Sequence, residues 1–135
     1  MAFVWTTRIQ QPTKNMPLTI VSSNKGSVHW RLNTALSRGI AEACKDEVYY
    51  RFGVDMAGHR IALMFQAKKG REWRKARIDS EGRINSYFRV DFLHVTEKDI
   101  KGHYPDFHFD KADQMWVADM RKRIDLGKRG DLFVD

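Results

Sequence analysis

The sequence predicts an α+β fold, a single curved, mostly antiparallel β-sheet with one short α-helix packed on it. Three observations lead there. Short runs with period-two apolar alternation recur along most of the chain. The stretch from Val48 to Arg77 holds three such runs in succession, parted by Gly-containing breaks that suit antiparallel connections. One stretch only, Thr34 to about Lys45, carries a helical stripe behind a capping residue. At 135 residues the chain makes one domain with a real core. It divides into an N-terminal arm (1–17), an α+β core (18–120) and a C-terminal basic segment with a tail (121–135).

The arm opens on the apolar Ala2-Phe3-Val4-Trp5 and turns polar to Pro17, with Arg8 and Lys14 and no acid. Such a segment can lie along nucleic acid, wrap a partner subunit, or simply be a free end. Leu18 to Ser22 and Val28 to Leu32 read as strands around a turn at Ser23 to Gly26. In the second, Val28, Trp30 and Leu32 face one way. Asn33 then stands at a helix N-cap. Leu36, Ile40 and Ala43/Cys44 form the expected buried stripe, and Arg38 and Glu42 an exposed i,i+4 pair. Gly39 weakens this helix by roughly 1 kcal/mol relative to Ala, which close approach to the sheet would explain.

Val48, Tyr50, Phe52 and Val54 share one face of the next run, and Tyr49, Arg51, Gly53 and Asp55 the other. A hairpin connection with Gly58 leads to Arg60 to Gln66, apolar on both faces. Arg71 to Arg77 forms a third run, with Trp73, Lys75 and Arg77 on one face. After a turn at Asp79 to Gly82, Arg83 to Val95 reads as one central strand. Thr96 to Asp99 caps a short turn of helix. Asp106 to Asp110 alternates, phenylalanines inward and acids outward. Met115 to Met120 is a last strand or the start of a helix. Leu132-Phe133-Val134 in the tail can dock or cross to a neighbour.

Charge is uneven. The net charge is +7, with 16 Lys and Arg against 7 Asp and Glu in residues 1–90, and 8 against 10 in residues 91–135. No acid precedes Glu42. An excess of this kind favours an electrostatic role for the first two thirds. Cys44 is the only cysteine, so an internal disulfide and a cysteine-rich zinc site are both excluded. This fits a reducing cytosol, and Cys44 reads as a small core residue. With no run of 18 apolar residues and no leader-like h-region, the expectation is a soluble, cytoplasmic protein without a membrane partner.

The densest signal for function is Lys68, Lys69, Arg71, Arg74, Lys75 and Arg77, six positive residues in ten with Trp73 among them and Glu72 the only acid. Cations neutralise phosphates and an indole stacks on a base, so the stretch reads as a phosphate-tracking surface with a stacking platform. Tyr49, Tyr87 and Trp30 are candidates to lie nearby. Arg121, Lys122 and Arg123 are auxiliary cationic contacts. The plain alternative is a solvated hairpin whose charges keep an edge strand from aggregating. Asp106, His108 and Asp110, with His103 nearby, form the only His/Asp cluster. On one face of a strand the three would suit a divalent cation, although their spacing matches no metal signature. Dinucleotide-binding, P-loop, zincin and nucleophile-elbow patterns are missing.

The expectation is therefore a non-enzymatic nucleic-acid-binding protein without a cofactor. It would act on DNA or RNA, as a small homodimer, in transcription, replication or a bacteriophage genome. The alternative is an assembly or inhibitor module whose basic surface meets an acidic protein partner. A third reading is a metal-dependent nuclease using Asp106, His108 and Asp110.

Overall fold

The computed structural model of the chain describes residues 16–126. The α+β class holds, with the strands divided between two sheets rather than forming one. Among the described residues there are ten strands: β1 (Leu18–Ser22), β2 (Ser27–Leu32), β3 (Tyr49–Asp55), β4 (Arg60–Gln66), β5 (Arg74–Lys75), β6 (Arg77–Ile78), β7 (Ile84–Arg89), β8 (Gly102–Tyr104), β9 (His108–Asp110) and β10 (Met115–Asp119). Two α-helices, α1 (Thr34–Ala43) and α2 (Glu97–Ile100), complete the set with two 3-10 turns. One sheet runs β6-β7-β2-β1-β8 and the other β5-β3-β4-β10-β9, with antiparallel pairing throughout. None of the described helices is long and apolar enough to cross a membrane.

The sheets are joined at two corners. The run Arg74 to Ile78 leaves one sheet and enters the other at Ala76, which is buried and donates its N–H to Val48 O at 2.9 Å. The chain passes from β8 to β9 through Pro105, Asp106 and Phe107, where Asp106 Oδ2 accepts the Asp119 N–H at 3.0 Å. Both sheets turn an apolar face inward. Alternation sends Ile20, Val28, Trp30, Leu32, Ile84 and Phe88 from one side, and Tyr50, Phe52, Ile61, Leu63 and Ala118 from the other, into one core. Trp30 meets Tyr50 edge-on with centroids 4.9 Å apart, and Phe52 meets Phe88 at 4.6 Å. Aromatic pairs of this kind add about 0.5–1.5 kcal/mol each beyond simple burial.

The local signals act as expected. Asn33 Oδ1 accepts the Leu36 N–H at 2.9 Å and starts α1. Gly26 and Gly82 take φ of +80° and +79° in their turns, a region that glycine enters without steric cost. Asp55 Oδ1 accepts the Gly58 N–H at 2.9 Å in the β3–β4 hairpin. Asp99 Oδ2 accepts the Thr96 N–H at 2.7 Å and starts α2.

Several expectations are corrected. Helix α1 buries Ser37, Ile40 and Ala41, with Cys44 behind them, while Leu36 is half-buried and Ala43 exposed. The stripe is rotated because the Ser37 Oγ accepts the Ile84 N–H at 2.8 Å and pins the helix to the start of β7. Gly39 lies on the far side, with no neighbour within 4 Å of where a Cβ would sit, so it serves no close approach. Strand β4 is buried on one face only, since Met64 is exposed. The long run after Arg83 ends as a strand at Arg89, and Val90–Leu93 forms a 3-10 turn. Phe109 was expected inward but is 40% exposed. Met115 to Asp119 is a strand rather than a helix. The arm up to Asn15 and the tail from Gly127 lie outside the described residues.

Candidate functional site

The crossing run at Ala76 leaves a gap behind it. Strand β5 reaches only Tyr49 and Tyr50 of β3, and β6 only Ile84 and Asn85 of β7. Beyond those pairs β3 continues to Asp55 and β7 to Arg89, and among the described residues no strand lies between them. The two edges open into a groove of roughly 370 Å³. Tyr50, Phe52 and Phe88 line it from the inward faces of β3 and β7, and Arg51, Arg71, Glu72, Arg74, Arg89, Phe92 and Leu93 complete the lining.

Each side chain arrives there for a local reason. Arg51 lies between inward-facing Tyr50 and Phe52, so alternation turns it out to the rim, where it pairs with Glu72 at 3.0 Å. Arg89 follows inward-facing Phe88 in the same way and pairs with Asp91 at 3.3 Å. Arg71 and Arg74 come from the turn before β5 and from β5 itself. Phe92 is set by its neighbours. Val90 is buried and its N–H donates to Gly26 O at 2.9 Å, while Leu93 packs against the core. With residues on both sides of it anchored inward, the turn presents Phe92 outward, 76% exposed. His94 ends the turn in the left-handed region at φ 56°.

The lining thus carries four arginines against one glutamate over an aromatic floor. Each guanidinium presents several donors in a planar fork suited to phosphate oxygens. Phe92 offers an exposed ring face beside them.

A second cluster lies on the outer face of the β6-β7-β2 sheet. His29 and Tyr87 face each other across β2 and β7 and stack at 4.0 Å with 16° between the planes. The Arg77 guanidinium sits 5.4 Å from the Tyr87 ring centroid. His29 Nε2 is hydrogen-bonded to Asn85 Oδ1 at 3.1 Å. Burial lowers the His29 pKa; the Asn85 bond opposes this, and the charges of Arg31 and Arg77 push it further down.

The sequence-predicted site residues are therefore dispersed. Arg71 and Arg74 enter the groove, Arg77 goes to Tyr87, and Lys68, Lys69 and Lys75 are exposed without lining the groove. Trp73, Lys75 and Arg77 do not form one face. Trp73 precedes β5, and the other two belong to different sheets on either side of Ala76. The half-buried Trp73 indole lies against Gly70, where an added Cβ would come within 2.5 Å of its Cδ1. Trp30 and Tyr49 are buried, and of the aromatic candidates only Tyr87 is markedly exposed, at 40%.

The basic triplet has other duties. Arg121 pairs with Asp119 at 3.0 Å, and the hydrogen bonds from Arg121 hold the Asp119 carboxyl down at about 2. Arg123 donates to Lys98 O at 3.3 Å and to Asp99 O, capping carbonyls of α2. None of Arg121, Lys122 and Arg123 lines the groove.

Asp106, His108 and Asp110 do not act together as expected. Asp106 sits in the corner turn and β9 begins only at His108. Asp106 Oδ2 accepts the Asp119 N–H, and Asp110 Oδ1 accepts the Ala112 N–H at 2.9 Å. His108 Nδ1 is hydrogen-bonded to Asp106 O at 2.6 Å. Among the described residues no group of three or more His, Cys, Asp or Glu is placed to hold a metal ion.

Arg51, Arg89 and Phe92 are among the groove residues that sequence reasoning missed as site members, together with the aromatic floor of Tyr50, Phe52 and Phe88. Alternation did turn Arg51 outward. Nothing local signalled Phe92: alternation runs on from Phe88 through Val90 to Phe92, and it is the 3-10 turn at Val90–Leu93 that takes Phe92 off the inward face. Compared with models of protein families, with curated proteins and with solved structures, the chain showed no match in any of the three.

Proposed function

We propose that the chain is a non-enzymatic nucleic-acid-binding protein whose contact surface is the groove between β3 and β7. One observation carries the reading. Four arginines surround a concave aromatic surface with an exposed phenylalanine at its edge. Phosphates would meet Arg51, Arg71, Arg74 and Arg89, and the exposed lysines of 68–75 would add diffuse attraction.

The test is fluorescence anisotropy of labelled single-stranded DNA, duplex DNA and RNA over a salt series. Affinity should fall linearly in log–log form with salt. Arg71→Glu with Arg74→Glu should abolish binding at moderate salt while the urea midpoint stays unchanged. Neutralising the same pair to alanine should reduce the salt slope by about 1.4–1.8. Wild-type affinity in the folded charge-reversed variant would sink the reading.

A second reading rests on the unpartnered edges of β3 and β7. An extended acidic peptide could add there as a strand and set its carboxylates on the arginines. A stoichiometric protein complex that survives nuclease, together with no oligonucleotide binding at low salt, would favour it.

A further inference from the structure

We propose that the groove selects single-stranded nucleic acid, by taking one unpaired base against Phe92 and the aromatic floor. This rests on the nucleic-acid reading and names the form of the ligand. Three features carry it.

The first is size. A groove of roughly 370 Å³ is at the small-molecule scale, where a single base with its sugar fits and a duplex does not. A duplex keeps its bases stacked in its interior and could offer this concavity only phosphates. A single strand can turn a base in.

The second is Phe92. It is the most exposed large apolar side chain among the described residues, at 76%. It does not sit on a loose loop. Buried Val90 and half-buried Leu93 hold the turn, and the Val90 N–H bond to Gly26 O fixes its approach. A ring held outward beside arginines is a stacking platform prepared in advance, so little ordering is needed on binding.

The third is the orientation of the charges. Glu72 holds Arg51 at 3.0 Å and Asp91 holds Arg89 at 3.3 Å, one arginine on each lip of the gap. The phosphates flanking a seated base would face these two lips. Stacking tolerates any base, so the preference would be for strandedness rather than sequence.

The test compares a labelled oligothymidylate of about 16 nucleotides with a duplex of the same length, at equal salt. The single strand should bind at least roughly tenfold tighter. Phe92→Ala should weaken single-strand binding roughly tenfold, leaving duplex binding and the salt slope unchanged. Phe92→Trp should restore binding, and the fluorescence of the new indole should be quenched on adding the strand. Equal affinity for both forms, with Phe92→Ala changing neither, would overturn the single-strand proposal and leave the nucleic-acid reading standing. No binding of either oligonucleotide at low salt would overturn both.

Discussion

The Tyr50 hydroxyl, from one sheet, donates to the Ser86 Oγ of the other at 2.9 Å, within 3.4 Å of Tyr87 O as well. Tyr50 is 1% exposed, and its ring also meets Trp30 edge-on. The bond ties the two sheets where the groove opens, and it occupies polar groups on the unpartnered part of β7. Tyr50→Phe keeps the packing and removes only the hydroxyl. It should lower the urea unfolding free energy by about 1 kcal/mol, more if Ser86 is left without a partner, with an unchanged m-value. Ser86→Ala in the Tyr50→Phe background should add little, because the two residues share one interaction. Equilibrium denaturation of the two single variants and the double variant measures this.

Gly39 lies in α1 on the exposed side, with open space where a Cβ would go. Gly39→Ala should therefore stabilise the chain by about 0.5–1 kcal/mol, through helix propensity and the smaller entropy of the unfolded chain. A rise in melting temperature without loss of oligonucleotide binding is the expected result. A fall would mean that the helix packs differently at that position.

Two histidines make stability depend on pH. Burial lowers the pKa of His103, which is hydrogen-bonded to Thr19 Oγ1 at 2.9 Å, and burial is also the largest influence lowering that of His29. Their folded pKa values lie below the ordinary 6.5. As pH falls through that value the unfolded chain takes up protons that the folded chain resists, so unfolding becomes easier. The contribution is complete above about pH 6.5 and shrinks on acidification until the folded forms also protonate. Asp79 and Asp119 act lower down. Burial of Asp79 is outweighed by hydrogen bonds from the Arg83 and Glu81 backbone, and the Arg121 hydrogen bonds hold Asp119 at about 2. Their contributions are present above the ordinary carboxylate value of 3.8 and are lost only as pH falls through the depressed ones. The urea midpoint should decline as pH falls below about 6.5, and His103→Gln with His29→Asn should flatten that decline.

Arg123 is a structural cation. Its guanidinium caps the Lys98 and Asp99 carbonyls, and the neighbouring Ile124 pairs with His103 at the edge of β8. Arg123→Ala should cost about 1 kcal/mol of stability and leave oligonucleotide affinity within about twofold. A large loss of affinity in a folded Arg123→Ala protein would return the basic triplet to the binding surface.

Local chemistry was legible in the sequence. The Asn33 cap, the Gly58 hairpin, the Asp79 to Gly82 turn and the Thr96 to Asp99 start of α2 each depend on atoms within a few residues of one another. The alternation that turned Tyr50 and Phe52 inward and Arg51 outward is equally local. The rotation of α1 was not legible, because it is set by a bond from Ile84 to Ser37, 47 positions away. The fate of the basic run was hidden for the same kind of reason. Nothing within Arg71 to Arg77 shows that Ala76 is a corner between two sheets.

By itself the sequence determined the α+β class, most strands and turns, the helix, the excess positive charge and the inward face of the central strands, such as Val28, Trp30 and Leu32 or Tyr50 and Phe52. These follow from backbone sterics, capping and side-chain period, all of which act at short range. Only the tertiary structure decided that the strands form two sheets, that Arg51 and Arg89 meet Arg71 and Arg74 around one groove, and that Phe92 stands exposed beside it. Those outcomes depend on which edges are left without a partner once both sheets bury their apolar faces against each other, and that is a property of the packed chain as a whole.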